Sequence, residues 1–451
     1  MENALKTISE AGIQNVRFEV SDINGIARSK TIPARRFLDV CKSYITFPWP
    51  IYACDPLAQI VEDHHLFKKY FMSDVFFCPD VSTFTVLPWV KNTARVLLSP
   101  SAVANDVEVT VDPRQIALNQ LSALKKRNLS FFSSFEYEFW VAHAETQEPL
   151  INGYNSYATL RLSKHQKFFD RLMNNLHGAG IRIECLETEY AIGQFEMPME
   201  PEFGIQAVDN AATFRTGVKE MAMQEYFAAS FMSKPYETGE GASGHLNHSL
   251  WSVDGKTPKL SDPSRPFGLS EIGEHWIAGI LAHAPALSLL QSPTLNCRDR
   301  VQPGTFSPIN ATWGVDNRTC AVRWKRRGGH GSYIENRIGS SAGNPYISFA
   351  ATIAAGIDGI DRRLPVPKDV PFNKDAHVAE NIPPGIELLP TEMEGALDAL
   401  LADQTMIAAL GTDFIESFEQ LKRHEMQVLK KHVEDGGDKF QWAKDFYFEY
   451  I

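Results

Sequence analysis

The sequence predicts an α+β protein, with a small sheet-rich N-terminal domain followed by a larger domain of mixed strands and helices. In the first part, VRFEVSDINGIARSKTIP alternates apolar and polar residues on both sides of Asn24-Gly25, a pattern typical of a β-hairpin. In the second part, Asp112 and Pro113 precede a helical apolar stripe, as an N-cap and a first-turn proline do. We therefore expect domains at residues 1–108 and 109–451.

The remaining elements follow in order along both parts. A helix over residues 3–12 should end at Gly12, and TFTVLPWV and ARVLLS indicate strands of the first domain. Farther along, FFSSFEYEFWV and IRIECLETEYAIGQFEMP predict strands, and KHQKFFDRLMNNLHGAG predicts a helix that Gly178 caps. Residues 205–232, residues 269–291 and most of the C-terminal part from residue 389 predict helices.

Composition excludes several classes of partner. The 451 residues carry a net charge of −11, which argues against nucleic acid and anionic membranes as main partners. No apolar run reaches the roughly 18 residues of a membrane span, and MENALKTISEAG lacks the pattern of a signal peptide. The 6 cysteines are scattered without a CxxC pair, as is typical of reduced thiols. We expect a cytoplasmic protein that acts on small molecules.

Two acids on one predicted strand suggest a cation site. Glu136 and Glu138 alternate with bulky apolar residues in FFSSFEYEFW, and side chains two apart on a strand share a face. Exposed acids on an edge strand are the commoner explanation of such a pair. However, burying two carboxylates beside Phe135 and Trp140 without a cation or hydrogen-bond donors would cost several kcal/mol. The apolar neighbours therefore favour a metal.

Four further residues can complete this site. Glu189 and Glu196 flank Gly193, which lets the backbone turn so that both acids face one ion. His245 follows small residues in GASGHLNHSLW, and Glu335 lies in YIENR. Taken singly, these residues are equally well explained as a solvated strand pair or a core histidine. Taken together, the carboxylates and the imidazole suit two Mg²⁺ or Mn²⁺ ions that also hold a triphosphate.

A set of arginines provides anion-binding groups. Guanidinium groups bind carboxylates and phosphates in bidentate fashion, although isolated arginines usually lie on the surface. The candidates are Arg300, Arg318, Arg323 and Arg337. The basic run at residues 325–327 precedes a glycine-rich turn at residues 328–331, which is either solvated or a mobile loop beside the same site.

The order of these motifs resembles that of the glutamine synthetase family over nearly the whole chain. The motifs are SDVFFCPDVSTFTVLPW, E-x-E, E-x6-E with Gly-Gln, G-x3-H-x-N-x-S-L-W, N-x3-R-x2-PG, W-x3-NR-x4-R, E-x-R and NPY. SDINGIARSKTIP and PEFGIQAVDNAATFRTGVKE look most similar to the lengsin-like and glutamate–amine ligase-like members. The resemblance implies a β-grasp-like N-terminal domain and a catalytic domain built on a curved antiparallel sheet.

The resemblance also implies a role for each candidate residue. The ligands of a first metal ion match Glu138, Glu189 and Glu196, and those of a second match Glu136, His245 and Glu335. The cofactors would be ATP, as co-substrate, and two or more Mg²⁺ or Mn²⁺ ions.

The remaining matches concern glutamate, phosphate and nucleotide. Residues that hold glutamate match Arg300, Arg337 and the backbone of Gly241, with Phe306 beside them. Catalytic arginines on the transferring phosphate match Arg318 and Arg323, and nucleotide contacts match Asn247, Ser249 and again Arg323.

Three departures from the family pattern concern the substrates. The family loop P-G-Y-E-A-P reads PGTFSP here, so Phe306 replaces a glutamate that covers the site and holds ammonium. The family's acidic D-G-S-S segment is replaced by ITFPWPIYACDP, with Trp49 and Tyr52. Glu240 stands where many members carry a neutral residue near the glutamate pocket. Because alkyl and aryl amines can use an aromatic wall, whereas ammonium needs polar partners, the first two changes argue against ammonia.

Three functions are compatible with these residues. The first is an ATP-dependent glutamate–amine ligase that forms a γ-glutamyl amide through γ-glutamyl phosphate, with an amine larger than ammonia. The second is a catalytically inactive, lengsin-like structural or scaffolding oligomer, and the third is an ammonia-dependent glutamine synthetase. The resemblance implies a homo-oligomer of stacked rings, such as a dodecamer, with active sites between neighbouring subunits. The tail KDFYFEYI would suit a contact between rings or pack on its own subunit.

Overall fold

A computed structural model describes residues 1–101, 109–154, 156–328 and 331–451. These residues form two sheets surrounded by helices, which confirms the expected α+β fold class. The expected end of the N-terminal domain at residue 108 lies outside the described residues, so this boundary stays a prediction. Gly329 and His330 of the glycine-rich turn also lie outside them.

A five-stranded sheet forms the N-terminal part of the molecule. Its strands are β1 (Asn15–Ser21), β2 (Ala27–Pro33), β3 (Ile45–Pro48), β4 (Asp74–Val86) and β5 (Thr93–Pro100), in the order β2-β1-β5-β4-β3. β1 pairs antiparallel with β2, which confirms the hairpin, and parallel with β5. The accompanying helices are α1 (Glu2–Glu10), α2 (Phe37–Cys41) and α3 (His65–Tyr70).

A nine-stranded sheet forms the larger part. Its strands are β6 (Leu129–His143), β7 (Glu187–Thr188), β8 (Gln194–Pro198), β9 (Glu202–Phe203), β10 (Phe227–Ser230), β11 (Gly244–Ser252), β12 (Trp313–Val315), β13 (Val322–Lys325) and β14 (Tyr333–Asn336). The main path runs β12-β13-β14-β11-β6-β8-β7, and β9 and β10 also pair with β6. The long strand β6 therefore organises the sheet.

Helices pack around this sheet and fill the C-terminal part. They are α4 (Pro113–Lys125), α5 (Thr159–Ser163), α6 (Gln166–Gly178), α7 (Ile205–Met223), α8 (Glu271–Ala282), α9 (Ala284–Leu290), α10 (Pro345–Arg362), α11 (Met393–Ala402), α12 (Gln404–Leu410), α13 (Thr412–Glu434) and α14 (Lys439–Tyr447). The side chain of Asp112 caps α4 by accepting a hydrogen bond from the amide of Gln115, as expected. No helix in the described ranges is both long and apolar enough to cross a membrane.

Several expected element boundaries were wrong. The helix expected over residues 205–232 ends at Met223, because Phe227–Ser230 form hydrogen bonds with β6 as strand β10. The helix over 269–291 is divided into α8 and α9, since Pro285 has no amide to continue the ladder. α6 runs through Gly178, and Gly180 adopts the left-handed conformation instead, at φ 83°. Only β7 and β8 form strands within residues 181–198.

Two aromatic residues of the N-terminal part are buried rather than presented to a substrate. Trp49 and Tyr52 are 0% and 1% exposed, respectively. The hydroxyl of Tyr52 donates a hydrogen bond of 2.7 Å to the carboxylate of Asp112. The expectation that these two rings supply an aromatic wall in place of the family's acidic segment was therefore wrong, because their surfaces are used in core packing.

The aromatic C-terminal tail packs on its own subunit. The hydroxyl of Tyr447 donates to Glu425 at 2.7 Å, and the amide of Phe231 donates to the carbonyl of Ile451 at 3.0 Å. Phe446, Tyr447 and Ile451 are buried within this chain. Of the two possibilities for the tail, the structure therefore supports packing within the subunit.

A buried histidine links α10 to the N-terminus of α12. Nδ1 of His283, between α8 and α9, lies 2.6 Å from Asp403, and its Nε2 lies 3.0 Å from Asp358 of α10. Burial disfavours the charged imidazole, but the two carboxylates outweigh this effect and raise the pKa of His283. The imidazolium therefore acts as a charged link between Asp403, which caps α12, and α10.

This clamp predicts a pH-dependent stability. Because the folded-state pKa lies above the unfolded value of about 6.5, the stabilisation is fully present below pH ~6.5 and is lost as pH rises through the folded pKa. We expect His283→Gln to lower the free energy of unfolding by roughly 1–3 kcal/mol at about pH 6 and by much less at about pH 9. Denaturant unfolding at both pH values measures this difference. The exposed His177→Gln serves as control, and an equal loss at both pH values would contradict the charged clamp.

Candidate active site

The register of four neighbouring strands brings the predicted metal ligands together. Glu136 on β6 lies opposite His245 on β11, and Glu138 on β6 lies opposite Glu196 on β8. Asn247 on β11 lies opposite Glu335 on β14, so Glu335 lies near the same wall. Gly193, at φ 68°, forms the turn before β8. The six predicted residues therefore converge, as the alternation of residues on strands predicts.

The six residues form two compact groups. Potential ligand atoms of each group lie within 4.8 Å of one another. The groups are Glu138, Glu189 and Glu196, and Glu136, His245 and Glu335. They correspond to the two sets implied by the family resemblance.

The first group is held by neutral donors. Glu138 accepts hydrogen bonds from the amide of Ser243 at 2.7 Å, from its hydroxyl at 2.6 Å, and from Nε2 of Gln194 at 2.9 Å. Burial and the charge of Glu189 raise the pKa of Glu138. Burial and the surrounding carboxylates likewise raise the pKa of Glu196. These acids crowd one another, and the hydrogen bonds that hold Glu138 come from neutral groups.

The second group already contains positive charge. Nδ1 of His245 lies 3.0 Å from Oε1 of Glu136. Glu335 is contacted by Arg323 at 3.0 Å, by Lys325 at 3.6 Å and closely by Arg337. Although burial alone would raise the pKa of Glu335, the charges of Arg337, Arg323 and Lys325 outweigh it and hold that pKa well below its usual range. Glu335 is therefore ionised at neutral pH.

Both groups fit hard divalent cations. Carboxylate oxygens with one imidazole are suitable ligands for Mg²⁺ or Mn²⁺. Nε2 of His245 is buried and has no hydrogen-bond partner among the described residues, so it is available as a ligand. The raised pKa values of Glu138, Glu189 and Glu196 indicate excess negative charge that a cation would neutralise.

Two of the predicted arginines line a pocket beside the first group. Arg300 is buried, and within the described part of the chain its hydrogen bonds go to the carbonyls of Ile338 and Arg337. Burial lowers the pKa of Arg300 to about 10, so it remains charged at neutral pH. A Cβ at Gly241 would lie 2.8 Å from Cγ of Arg300, which explains the need for glycine there. Arg300 and Arg337 line one pocket with Glu138, Glu189 and Glu240.

The other two arginines differ in their surroundings. Arg323 is buried and contacts Glu335 at 3.0 Å and Asp316 at 3.6 Å. Arg318 is exposed. Burial and the charge of Glu136 raise the pKa of Glu187, and the charge of Arg318 opposes this rise.

A second pocket lies farther along β11 from His245. Asn247 and Ser249 line it together with Phe132 and Tyr333. Asn247 donates to Oε2 of Glu136 at 2.9 Å, and the hydroxyl of Ser249 accepts from the indole of Trp251 at 2.9 Å. This pocket adjoins the second cation group and offers both apolar rings and polar atoms.

Several contributors were not found from the sequence. Ser243 and Gln194 fix Glu138, and Glu187, opposite Glu196 in the β7–β8 register, adds another acid. Lys325 contacts Glu335 instead of lying in a solvated turn or on a mobile loop. Glu187 could have been found as the residue two before Glu189, but the cross-strand partners of Glu138 and Glu335 have no local signal.

Phe306 lies at the mouth of the first pocket. Its ring is 55% exposed, and its carbonyl accepts a hydrogen bond from Nη2 of Arg337 at 3.3 Å. The Phe306 ring also meets Tyr190 edge-on, with centroids 6.5 Å apart. The loop that carries Phe306 is therefore attached to the pocket through Arg337.

The chain belongs to the glutamine synthetase family. Residues 110–439 match the family described as "Glutamine synthetase, catalytic domain". The match confirms the resemblance stated above, and it confirms the expectation of an enzyme of the ligase class at the level of the family.

Similar proteins include both lengsin and amine ligases. Lengsin of Rattus norvegicus is 35% identical over 445 residues, which cover 98% of this chain and 77% of that protein. The γ-glutamylethanolamide synthetase of Streptomyces coelicolor is 30% identical, with 95% and 92% covered. The glutamate–isopropylamine ligase of a Pseudomonas species is 27% identical, with 94% of each chain covered.

A solved structure confirms the fold class. The crystal structure of a protein described as a novel glutamine synthase homolog superposes with a TM-score of 0.81 and 26% identity. The superposition covers 96% of this chain and 98% of that one. The similarity therefore extends over the N-terminal sheet as well as the larger part.

Because the acids of the first group repel one another, removing one of them should stabilise the cation-free protein and weaken cation binding. Glu196→Gln removes one of several neighbouring buried carboxylates, so we expect the apparent Tm of the cation-free protein to rise by roughly 1–3 °C. The same change should abolish most of the Tm increase that Mn²⁺ produces. Differential scanning fluorimetry with EDTA and with Mn²⁺ measures both effects, and the exposed Glu145→Gln is the control. A full Mn²⁺ response in Glu196→Gln would contradict the assignment of this ligand.

Proposed function

We propose that the protein is an ATP-dependent glutamate–amine ligase that forms a γ-glutamyl amide with an amine larger than ammonia. The observation that carries this proposal is the adjacency of two cation groups and a pocket lined by Arg300, Arg337 and Phe306. Carboxylate ligands and arginines are the groups that hold phosphates and an amino-acid carboxylate. Phe306 at the pocket mouth supplies an apolar surface where ammonium would need a polar one.

Each group has a role in this proposal. Arg300 and Arg337, with the backbone of Gly241, would hold the carboxylates of glutamate. Asn247 and Ser249 would bind the nucleotide in the second pocket, and Arg318 and Arg323 would bind the transferring phosphate. Mg²⁺ or Mn²⁺, held by the two groups of ligands, would neutralise charge on the phosphate oxygens. The chain itself orients the reactants so that the γ-carboxylate faces the terminal phosphate.

The reaction has two balanced steps. In the first, a γ-carboxylate oxygen of glutamate forms a bond to the terminal phosphorus of ATP, and the bond to the ADP oxygen breaks. In the second, the neutral amine nitrogen forms a bond to the γ-carbonyl carbon, and phosphate leaves with the electron pair of the carbon–oxygen bond. The amine, which enters as an ammonium ion, gives one proton to water before the attack, and the bonded nitrogen gives a second proton to water after it. Arginines around Glu335 stabilise negative charge during the first step because it develops in a buried site.

Product analysis tests this function directly. The purified protein is incubated with ATP, Mg²⁺ or Mn²⁺, glutamate and one of several amines, and phosphate release is measured together with the mass of γ-glutamyl products. We expect turnover with at least one alkyl or aryl amine. Binding of ATP and cations without product from any amine would overturn the proposal.

Phe306 provides a mutational test of the amine preference. We expect Phe306→Glu to raise kcat/KM for ammonia by about tenfold or more, since a carboxylate at the pocket mouth attracts ammonium, and to lower it for apolar amines. Phe306→Gln is the matched control, because it has nearly the same size as glutamate and no charge. An unchanged ammonia rate in Phe306→Glu would show that ammonia selectivity does not depend on this position.

The similarity to lengsin supports a second candidate, a structural or scaffolding oligomer without catalysis. The retention of all six cation ligands disfavours it, because these buried acids repel one another unless a cation is bound. The same assay separates the two candidates.

We also propose that the protein forms a ring-shaped homo-oligomer, such as a dodecamer of stacked rings. The family resemblance supports this assembly. Mass photometry at nanomolar concentration should show particles far larger than a dimer. A monomer with full ligase activity would contradict a site shared between subunits.

A further inference from the structure

Three aromatic rings form a continuous row at the mouth of the first pocket. The ring centroids of Phe306 and Tyr190 are 6.5 Å apart, and those of Tyr190 and Tyr154 are 5.8 Å apart. The side chains are 55%, 48% and 52% exposed, respectively. Half-exposed rings in contact with one another present a larger apolar surface than isolated surface rings do. We call Phe306, Tyr190 and Tyr154 the aromatic row.

The aromatic row contacts other parts of the chain at both ends. At one end, the carbonyl of Phe306 accepts a hydrogen bond from Arg337. At the other, Gly239 lies against the Tyr154 ring, with a Cβ position 3.4 Å from Cε1. Tyr190 in the middle directly follows Glu189, whose carboxylate accepts a hydrogen bond from the Tyr190 amide at 2.8 Å. The row therefore passes beside a carboxylate of the pocket at Tyr190 and ends at the half-exposed Tyr154.

The pocket and the aromatic row would contact different parts of an incoming amine. Glu240 lines the pocket and attracts the protonated nitrogen as it enters. The rings offer the carbon substituent an apolar surface, and edge-to-face contacts are available to a planar group. A substituent with its own charge would have to leave water for a surface made mainly of aromatic rings.

We propose that the aromatic row selects primary amines with an uncharged apolar substituent, aryl or branched alkyl, and that Tyr190 is the specificity-determining residue of the row. This inference rests on the proposed ligase function and names its amine class. Tyr190 occupies the centre of the row, so its removal separates the other two rings. Its contact with the substrate involves the ring, whereas its bond to Glu189 involves the backbone amide and survives substitution.

The test compares amines and variants in one assay of γ-glutamyl product formation. The amines are benzylamine, isobutylamine, ethanolamine, 1,4-diaminobutane and ammonia. The variants are Tyr190→Ala, Tyr190→Phe and, as control, Tyr226→Ala, which removes an exposed ring away from the pocket. The Mn²⁺-induced Tm shift of each variant verifies that the neighbouring Glu189 still contributes to the cation group.

We expect the unsubstituted protein to prefer benzylamine or isobutylamine over 1,4-diaminobutane by about tenfold or more in kcat/KM. Tyr190→Ala should lower kcat/KM for the apolar amines by about tenfold, mainly through KM, and change ammonia by less than about twofold. Tyr190→Phe should restore the preference, since it keeps the ring.

Two results would overturn the inference in different ways. If the protein ligates 1,4-diaminobutane or ammonia best, or if Tyr190→Ala affects all amines equally, the aromatic row does not select the amine although the ligase function stands. If no amine yields a product while ATP and Mn²⁺ bind, the proposed function itself fails and the selectivity fails with it.

Discussion

Mutual repulsion among buried carboxylates is the constraint on which the site depends. The pairing of β6 with β8 and β11 fixes Glu136, Glu138, Glu196 and His245 on one wall, because a shift of register by one residue would turn these side chains to the opposite face. The acids cannot move apart without breaking the ladder hydrogen bonds of the sheet. The folded protein therefore holds a concentrated negative charge in place, and its backbone supplies the rigidity that this requires.

The negative charge of the carboxylates is compensated differently in the two cation groups. Glu335 is surrounded by Arg323, Lys325 and Arg337, so its group is partly neutralised by the chain. Glu138, by contrast, is held by a serine and a glutamine, which orient the carboxylate without cancelling its charge. Neutral donors position an acid and leave its charge available, whereas basic partners compensate it. The group of Glu138 is therefore the more dependent on an external cation.

The sequence was sufficient for the features that local patterns determine. Alternation along β6 correctly placed Glu136 and Glu138 on one face, and the Asn24-Gly25 turn correctly predicted the first hairpin. Strand β10 was missed because its partner lies more than eighty residues away in β6, and no local pattern reports such a pairing. For the same reason Lys325 was assigned to a loop, although β13 carries it to Glu335. Tyr52 is likewise buried with a hydrogen bond to Asp112, which is sixty residues away in the chain.

Arg337 connects the second cation group to the loop at the mouth of the first pocket. One of its terminal nitrogens contacts Glu335, and the other donates to the carbonyl of Phe306. A planar guanidinium has fixed angles between its donors, so a rotation toward one partner turns the group away from the other. Because one guanidinium group holds both partners, a displacement of Glu335 would also displace the loop that carries Phe306. Through Arg337, the position of the second cation group is therefore coupled to the position of the loop at the mouth of the first pocket.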